Sequence, residues 1–283
     1  MTSLKKGSEY RILAHQKKTQ RPSLFMSFID NRCQNDINEE ARDLYLKAGN
    51  TFMMENDFEN AGECFIQAYD LSKILNHIYS QINALKSAAL AYKTINYNKS
   101  IQCYFECINF YTQDGKFSDI IKCYQLIGEI YEENDCAEQA LNTYQKCLNV
   151  SIISDFALCS ILDKIANIYV LTNKYLQAIE TFQQLVKSEL KKHISKKYII
   201  KILLCSCAID HTDAQIRLSE FTNFNTCYER TFIDEIFVAI ETQNVSQYEN
   251  ACFKYNNMWQ MDKLDTHLLA IIKRNNFDEI DLC

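Results

Sequence analysis

With 283 residues the chain is long enough to bury a large core, but 5 glycines and 1 proline are too few for the turns of a β-sheet protein or for linkers between separate domains. Its 47% apolar residues therefore predict an all-α protein. The 13 cysteines form no Cys-x-x-Cys pair, which argues against a zinc ribbon or a redox motif. We expect most of them to be small buried residues in a reducing cytosol.

The net charge of −6 is unevenly distributed along the chain. Residues 1–32 carry seven Lys and Arg against two Asp and Glu, whereas residues 228–283 carry five against ten. The two ends are therefore predicted to prefer different partners. The opening residues MTSLKKGSEY contain no apolar signal region, and no stretch approaches about eighteen uncharged apolar residues. We expect a cytoplasmic protein without a secretion signal or a membrane span.

The first predicted element is an N-terminal helix, and an unusual apolar segment follows it. Residues 21–30, RPSLFMSFID, contain the only proline and five large apolar side chains: Leu24, Phe25, Met26, Phe28 and Ile29. Basic residues flank the segment: Lys17, Lys18, Arg21 and Arg32. Neither a core strand nor an ordinary polar loop explains this composition.

A pattern of small and aromatic residues then recurs four times. It reads Phe58-x-x-Ala61-x-x-x-Phe65-x-x-Ala68 in the first copy, and its small residue recurs at intervals of 39, 40 and 38 residues. The four small residues are Ala61, Ser100, Ala140 and Ala178, and twelve residues before each stands another: Gly49, Ala88, Gly128 and Ala166. This is the pattern of tetratricopeptide-like helical hairpins, in which small residues let paired helices approach closely and aromatic residues fill the core.

Weaker copies of the pattern continue at Ala214 with Leu218 and at Ala251 with Tyr255. The aromatic and cysteine positions of the repeats are predicted to be core, because they recur at helical spacing. Function is therefore expected to reside in the exposed faces and the two ends.

No residue pattern points to catalysis. A G-x-x-x-x-G-K-[ST] phosphate loop is absent from the sequence, and five isolated histidines have neither ligand spacing nor nucleophile-and-base spacing: His15, His77, His193, His211 and His267. We predict a protein that is not an enzyme and needs no metal, cofactor, nucleic acid or small-molecule substrate.

Several segments resemble the soluble NSF attachment proteins, closest to their alpha and beta types. They are NDFENAGECFIQAYDL, YNKSIQCYFECINFYTQDGKFSDIIKCYQLIGEIYE, YLQAIETFQQL, ETQNVSQYENACFKY and the closing DEIDLC. The resemblance spans essentially the whole chain. It implies an adaptor that clasps the SNARE four-helix bundle left after membrane fusion and presents it to the hexameric ATPase NSF, which performs the catalysis in vesicle trafficking.

The resemblance also implies the domain organisation. Residues 1–227 would form the N-terminal helix, a membrane loop at about residues 19–36 and a right-handed, tetratricopeptide-like solenoid of antiparallel hairpins. Residues 228–283 would form a C-terminal helical bundle with an acidic tail, packed with the first part as one continuous unit.

The SNARE-facing surface is predicted to be a strip of lysines. Lys47, Lys86 and Lys164 stand two residues before the small residue of the first helix in three repeats, and Lys122 is placed at the start of the first helix in the third. A solenoid stacks equivalent positions, so these lysines would attract the acidic exterior of a SNARE bundle. The alternative is a role in solubility alone, since one exposed charge contributes only about 0–1 kcal/mol.

By resemblance, five lysines match basic positions of the family's concave face: Lys116, Lys122, Lys164, Lys197 and Lys201. Ser160 stands where the family has a lysine, and Asp234 and Glu235 replace a basic pair. These differences imply altered SNARE affinity or partner choice.

The NSF-facing end is also assigned by resemblance. Its predicted residues are Asp210, Glu241, Asp278, Glu279, Asp281 and the penultimate Leu282. Val238 and Thr242 replace acidic residues, and Cys283 replaces a terminal Arg. The apolar segment matches the family's membrane loop, with Phe25 and Phe28 as its main residues and a peripheral location on the cytosolic membrane face as its consequence. Its alternative role is a hydrophobic staple on the first repeat.

Two other functions are compatible with helical repeats: a clamp for chaperone peptides, or a subunit of a large helical complex. Peptide clamps usually have three repeats of about 34 residues, whereas the repeats here are longer and continue for about six units. A subunit would not obviously need an apolar loop flanked by cations.

Overall fold

A computed structural model describes residues 6–20, 31–187, 195–221, 224 and 228–277. Fourteen α-helices run through these residues, and none of them is in a β-strand. The helices are α1 Lys6–Thr19, α2 Asn31–Met54, α3 Phe58–Ile74, α4 Ile78–Tyr92, α5 Tyr97–Gln113, α6 Phe117–Glu133, α7 Ala137–Leu148, α8 Asp155–Leu171, α9 Tyr175–Lys187, α10 Ser195–Ile209, α11 His211–Glu220, α12 Tyr228–Glu241, α13 Val245–Trp259 and α14 Lys263–Phe277. The all-α prediction is confirmed.

The turns between helices explain how the fold manages with few glycines. After α2, the backbone of Asn56 has a φ of 58°, and the amide of Asp57 donates to the carbonyl of Phe52 at 2.9 Å. This left-handed residue followed by a six-to-one hydrogen bond is the usual end of a helix in a Schellman motif, and Asn tolerates the conformation better than most residues. The same geometry ends other helices, with left-handed residues Asn76, Gly115, Asp135, Asn173 and Gln243.

The predicted contact between small and aromatic residues is present inside the hairpins. A Cβ atom on Gly49 in α2 would lie 2.6 Å from the ring of Phe65 in α3. A Cβ atom on Gly128 in α6 would lie 2.5 Å from the ring of Tyr144 in α7. Since real Cβ contacts are longer than this, only glycine allows these two helix pairs to approach so closely.

The described residues belong to two compact units, the first within residues 1–152 and the second within residues 153–283. In the first unit α1 packs on the hairpin that follows it, because Gly7 lies against the ring of Phe52 and the Arg11 guanidinium donates to Asn60 in α3. Its core contains the pattern residues Phe52, Phe65 and Tyr104, whereas the pattern residues Tyr97 and Tyr131 are partly buried against it.

In the second unit α14 lies against α10, where the Asn275 side chain donates to the carbonyl of Ala208 at 3.2 Å. Helices α10 and α14 form one packed layer of this unit, and α12 and α13 pair beside it through stacked rings of Phe232 and Tyr255, 4.1 Å apart. The predicted domain boundary at residue 228 falls inside this unit and stays a prediction.

Most described cysteines are buried, as predicted, including Cys107 and Cys205. Burial is the main cause that raises the pKa of both thiols to about 12, so they are protonated at neutral pH. Among the helices that the structure describes, none has both the length and the apolar character needed to cross a membrane.

Candidate functional site

Two of the predicted lysines occupy equivalent exposed positions in the first unit. Lys47 in α2 lies two residues before Gly49, the residue that faces α3, and two residues correspond to about 200° around a helix. The Lys47 side chain therefore points away from α3. Lys86 has the same relation to Ala88 in α4, and both lysines are exposed. No carboxylate of the described residues is within ion-pair distance of Lys86.

Lys122 was predicted to begin its helix, and this is wrong: α6 begins at Phe117. The position equivalent to Lys47 in this repeat is Leu126, and Lys122 lies four residues earlier, about one helical turn away on the same face. Its side chain is 71% exposed and is only 3.5 Å from Asp119. Lys122 is therefore exposed one turn before that position, and its place in the lysine strip stays a prediction.

Lys116 lies in the turn before α6 and is held by two neighbours. Its ammonium is 2.7 Å from the carboxylate of Asp114 and 4.7 Å from the centre of the Tyr79 ring. The hydrogen bond to Asp114 is the main cause that raises the pKa of Lys116, so the lysine stays charged. Sequence reasoning missed Tyr79, a residue that is 72% exposed beside this cation.

In the second unit the predicted lysines have different environments. Lys164 in α8 is partly buried, as is Ser160 one turn before it. Lys197 in α10 is 52% exposed, and its ammonium is 3.2 Å from the carboxylate of Asp262. Lys197 is therefore exposed but shares its charge with Asp262, and its role as a SNARE contact stays a prediction.

Lys201 was predicted to line the same exposed face, but its residue exposure is only 1%. Its ammonium donates to both carboxylate oxygens of Asp262, at 3.1 and 2.9 Å, and is 3.3 Å from Asp265. A lysine this deeply buried must be paired, because an isolated charge in the interior costs several kcal/mol. In the structure Lys201 thus joins α10 to the start of α14 and is not a surface contact.

Asp262 and Asp265 form the N-terminal cap of α14. Asp262 accepts from the amides of Leu264 and Asp265, and Asp265 accepts in return from the amide of Asp262 at 3.2 Å. Burial opposes ionisation of Asp262, but the hydrogen bonds from Lys201 and the backbone outweigh it and hold the pKa of Asp262 well below its usual range. Burial raises the pKa of Asp265.

The acidic pair that replaces a basic pair of the family is neutralised locally. Asp234 accepts from the guanidinium of Arg230 at 2.9 Å, and Glu235 is 3.2 Å from the ammonium of Lys254. The reversal of charge expected from the sequence is therefore largely compensated within α12 and α13. Sequence reasoning missed Lys254 because it lies on a different helix.

Both described residues of the predicted NSF-facing end are exposed. Asp210 caps α11 by accepting from the amide of Thr212 at 2.9 Å, and Glu241 at the end of α12 accepts from Gln215. A hydrogen bond to a neutral amide leaves the charge of Glu241 available. Next to Asp210 in sequence, the ring of His211 meets the ring of Phe237 edge-on, with ring centres 5.0 Å apart.

The two predicted terminal contact segments lie outside the described residues. The first comprises Leu24, Phe25, Met26, Phe28 and Ile29; the second comprises Asp278, Glu279, Asp281 and Leu282. The helix bounds shorten the predicted loop of residues 19–36, because α1 continues to Thr19 and α2 begins at Asn31.

The described part of the chain holds no group of three or more His, Cys, Asp or Glu side chains arranged for a metal ion. His77 in this part is paired with Glu39 at 3.9 Å on the surface. Its other ring nitrogen is 3.2 Å from the guanidinium of Arg42, so both neighbours of this histidine are surface side chains.

Comparisons with known proteins show which family the chain resembles. The family model described as "Soluble NSF attachment protein, SNAP" matches residues 6–276. Alpha-soluble NSF attachment protein of Homo sapiens is 30% identical, over 86% of this chain and 87% of the human protein. Beta-soluble NSF attachment protein of Bos taurus is 28% identical, over 84% and 83% of the two chains.

Among solved structures, a signal-transduction ATPase with a tetratricopeptide repeat sensor from Pyrococcus horikoshii superposes with a TM-score of 0.55. The match covers 96% of this chain and 44% of that chain at 15% identity, so it concerns the fold alone. This similarity of fold agrees with the tetratricopeptide-like repeats of the chain. The family assignment rests on the family model, which matches residues 6–276. The chain therefore belongs to the soluble NSF attachment protein family.

Proposed function

We propose that this protein is an adaptor that binds assembled SNARE complexes and recruits and stimulates an NSF-type ATPase, which separates the SNARE helices. The observation that carries the proposal is the family match over residues 6–276, nearly the whole chain. The same match disfavours a chaperone-peptide clamp or a fixed subunit of a large helical complex. Catalysis belongs to the ATPase, and the adaptor contributes positioning and coupling.

The SNARE-facing surface of the first unit is the basic face of α2, α4 and α6. Lys47, Lys86 and Lys122 are exposed there, and Lys116 adds a cation at the turn before α6. Their shared sign attracts an acidic helical bundle, speeds the encounter and fixes its orientation. In the second unit Lys164 and Lys197 serve the same partner, while Lys201 acts indirectly, by holding the start of α14.

The ATPase-facing end combines Asp210 and Glu241 with the acidic tail. Asp278, Glu279 and Asp281 extend the negative charge, which complements a basic partner domain. Leu282 then supplies one apolar side chain that enters a pocket once charge has brought the end close.

Contact with the membrane is assigned to the apolar segment within residues 21–30. Phe25 and Phe28 insert partly into the interface, and Leu24, Met26 and Ile29 support them. Apolar transfer is assisted by nearby cations, each adding about 1 kcal/mol near an anionic leaflet. The protein thereby works at the cytosolic face of a membrane as a peripheral protein.

Disassembly of a purified, fluorescently labelled SNARE complex by NSF and ATP tests the proposal. We expect disassembly with this chain and none when the chain or ATP is omitted. A chain that binds neither the assembled SNARE complex nor NSF would refute the adaptor function.

A further inference from the structure

A groove of about 750 Å³ opens in the first unit between α1 and α3. Ile12 of α1 and Ile66 of α3 line its walls, and the buried residues Tyr45 of α2 and Tyr92 of α4 form its floor. We name this site the Tyr45 groove. Its volume is in the range of pockets that hold small molecules. The lysines assigned above to the basic face are not among the residues that line it.

The floor of the groove carries buried polar groups that lack a partner in the described part of the chain. Tyr45 is 3% exposed and Tyr92 is 4% exposed, and no described residue forms a hydrogen bond with either hydroxyl. The thiol of Cys64, on the same floor, has none either. Because buried polar groups are nearly always hydrogen-bonded, these groups indicate an occupant that supplies the missing partner. Tyr92 also lines a neighbouring groove between α3 and α5, so Tyr45 is the main contact.

The polar groups of the floor are hydrogen-bond donors at neutral pH. Burial is the main cause that raises the pKa of Tyr45, the pKa of Tyr92 to about 12 and the pKa of the Cys64 thiol to about 11. All three groups therefore keep their protons. A protonated phenol or thiol can donate to an oxygen atom. The occupant is therefore expected to carry an acceptor such as a carbonyl oxygen.

The charged side chains of the lining neutralise each other. The guanidinium of Arg11 is 3.6 Å from the carboxylate of Glu63, and it also donates to Asn60. These are the lining's one fixed cation and one carboxylate, apart from the histidine His15. An ionised occupant would lose its hydration without gaining a free charge of opposite sign, which is unfavourable. The groove therefore favours an uncharged occupant.

Two interhelical hydrogen bonds hold the walls at a fixed separation. Arg11 of α1 donates to Asn60 of α3, and the ammonium of Lys18 donates to Gln67 at 2.8 Å. The two contacts lie seven residues apart on each helix, about two helical turns, with the groove between them. Binding therefore requires little rearrangement of the protein, which favours affinity.

We propose that the Tyr45 groove binds an uncharged acyl lipid, such as a monoacylglycerol, with its hydrocarbon chain between Ile12 and Ile66 and its carbonyl oxygen accepting from Tyr45. The apolar walls suit the chain, the floor donors suit an uncharged oxygen, and the paired charges of the lining disfavour an ionised head group. This inference goes beyond the adaptor function and does not depend on it, because the ligand is a single small molecule and the site is separate from the basic face.

Calorimetric titration of the full chain with monodecanoylglycerol, kept below its critical micelle concentration, tests the site. We expect saturable binding and a higher melting temperature with the lipid, because a ligand that binds only the folded state stabilises it. Absence of binding, or binding only above the micelle threshold, would overturn the inference. Decanoate has the same chain length but is ionised, and it should bind at least about tenfold more weakly. Equal or tighter binding of decanoate would overturn the choice of an uncharged ligand.

Removing one hydroxyl tests the hydrogen bond. Tyr45→Phe should weaken lipid binding about threefold to tenfold, the effect of losing one hydrogen bond. The melting temperature of the free variant should not fall, because this hydroxyl has no partner among the described residues. Tyr104→Phe is the matched control, since Tyr104 is buried in the same unit and does not line the groove. Equal affinity of the wild type and Tyr45→Phe would overturn the assigned contact.

A larger side chain tests the location. Ile12→Trp should lower the affinity for the lipid at least about tenfold, because the new side chain fills part of the groove. Leu13→Trp is the matched control: Leu13 is 49% exposed, close to the 46% of Ile12, and does not line the groove. Both variants should keep the wild-type melting temperature, since both positions are exposed. Equal affinities of the two variants would overturn the location. Lipid binding is measured without SNARE complexes or NSF, so its failure would leave the adaptor function untouched.

Discussion

The ring of Tyr144 lies directly over the backbone of Gly128, where α7 crosses α6. A Cβ atom on Gly128 would lie 2.5 Å from two ring carbons of the tyrosine. Tyr144 cannot easily move away, because its ring is completely buried and its hydroxyl donates to Glu132. The close packing of α7 on α6 therefore requires a residue without a side chain at Gly128.

Gly128→Ala should lower the free energy of unfolding by about 1–3 kcal/mol, the usual cost of overpacking a core. Urea unfolding followed by circular dichroism would measure the change. Ser118→Ala, an exposed substitution in the same helix, should stay within about 0.5 kcal/mol. Adding Tyr144→Leu to Gly128→Ala should cost less than the sum of the two single changes, because the smaller side chain makes room for the new methyl group. Simple additivity would contradict the proposed clash.

Lys201→Met should lower stability by about 3–5 kcal/mol, since it leaves the carboxylates of Asp262 and Asp265 without their buried cation. Lys197→Met is the matched control: it removes a second lysine from the same Asp262, but one that is 52% exposed. The control should cost under about 1 kcal/mol. Equal losses of stability in the two variants would show that burial of Lys201 does not make its ion pair more important than that of Lys197.

The effect of Lys201→Met should also depend on pH. The pKa of Asp262 is lowered in the folded state, so the stability from its ion pair is present above the unfolded value of about 3.9 and is lost as the pH falls through the folded one. The difference in melting temperature between wild type and Lys201→Met should therefore be largest near neutral pH and shrink below about pH 4. A difference that stays constant down to pH 2 would contradict this.

Reversing the charge of Lys86 and Lys122 together to Glu should weaken SNARE-complex binding, more at low salt than at high salt because the field is then less screened. The fold should be unaffected, since both side chains are exposed. Lys99→Glu with Lys146→Glu, on α5 and α7, changes the net charge equally and should affect binding less. Fluorescence anisotropy titration measures SNARE-complex binding by both double variants. Equal losses of affinity in the two variants would show that net charge, and not the position of Lys86 and Lys122, determines binding.

Changing Phe25 and Phe28 to Ser should reduce flotation with anionic liposomes and leave the melting temperature unchanged. The reason is that two aromatic side chains are lost from the predicted membrane contact while the repeat core stays complete. Unchanged flotation with a lower melting temperature would instead favour a hydrophobic staple on the first repeat.

Leu282→Ala should spare SNARE binding and melting temperature while reducing NSF-stimulated ATP hydrolysis and SNARE disassembly. An apolar side chain that follows an acidic run can fill a pocket on a partner after charge has brought the two proteins together. Cys283→Ala, at the neighbouring terminal position, serves as the control. Wild-type stimulation by Leu282→Ala would remove this residue from the mechanism.

The hairpins and most of the core could be predicted from the sequence. Gly49, Gly128 and the aromatic residues after each small anchor recur at fixed spacing, and spacing along a helix decides which side chains share a face. It also predicted the burial of the cysteines and the exposure of Lys47 and Lys86. These features depend on local periodicity and on contacts between consecutive helices, so a single sequence is sufficient to predict them.

The surroundings of individual charged side chains could be seen only in the folded protein. Lys201 and Asp262 are 61 residues apart in sequence yet form the buried ion pair of the second unit. Arg230 and Lys254 neutralise the acidic pair in α12, and Tyr79 covers Lys116 from another hairpin. A charged residue looks the same in sequence whether a later helix covers it or leaves it in water, because its burial is set by distant parts of the chain that pack against it.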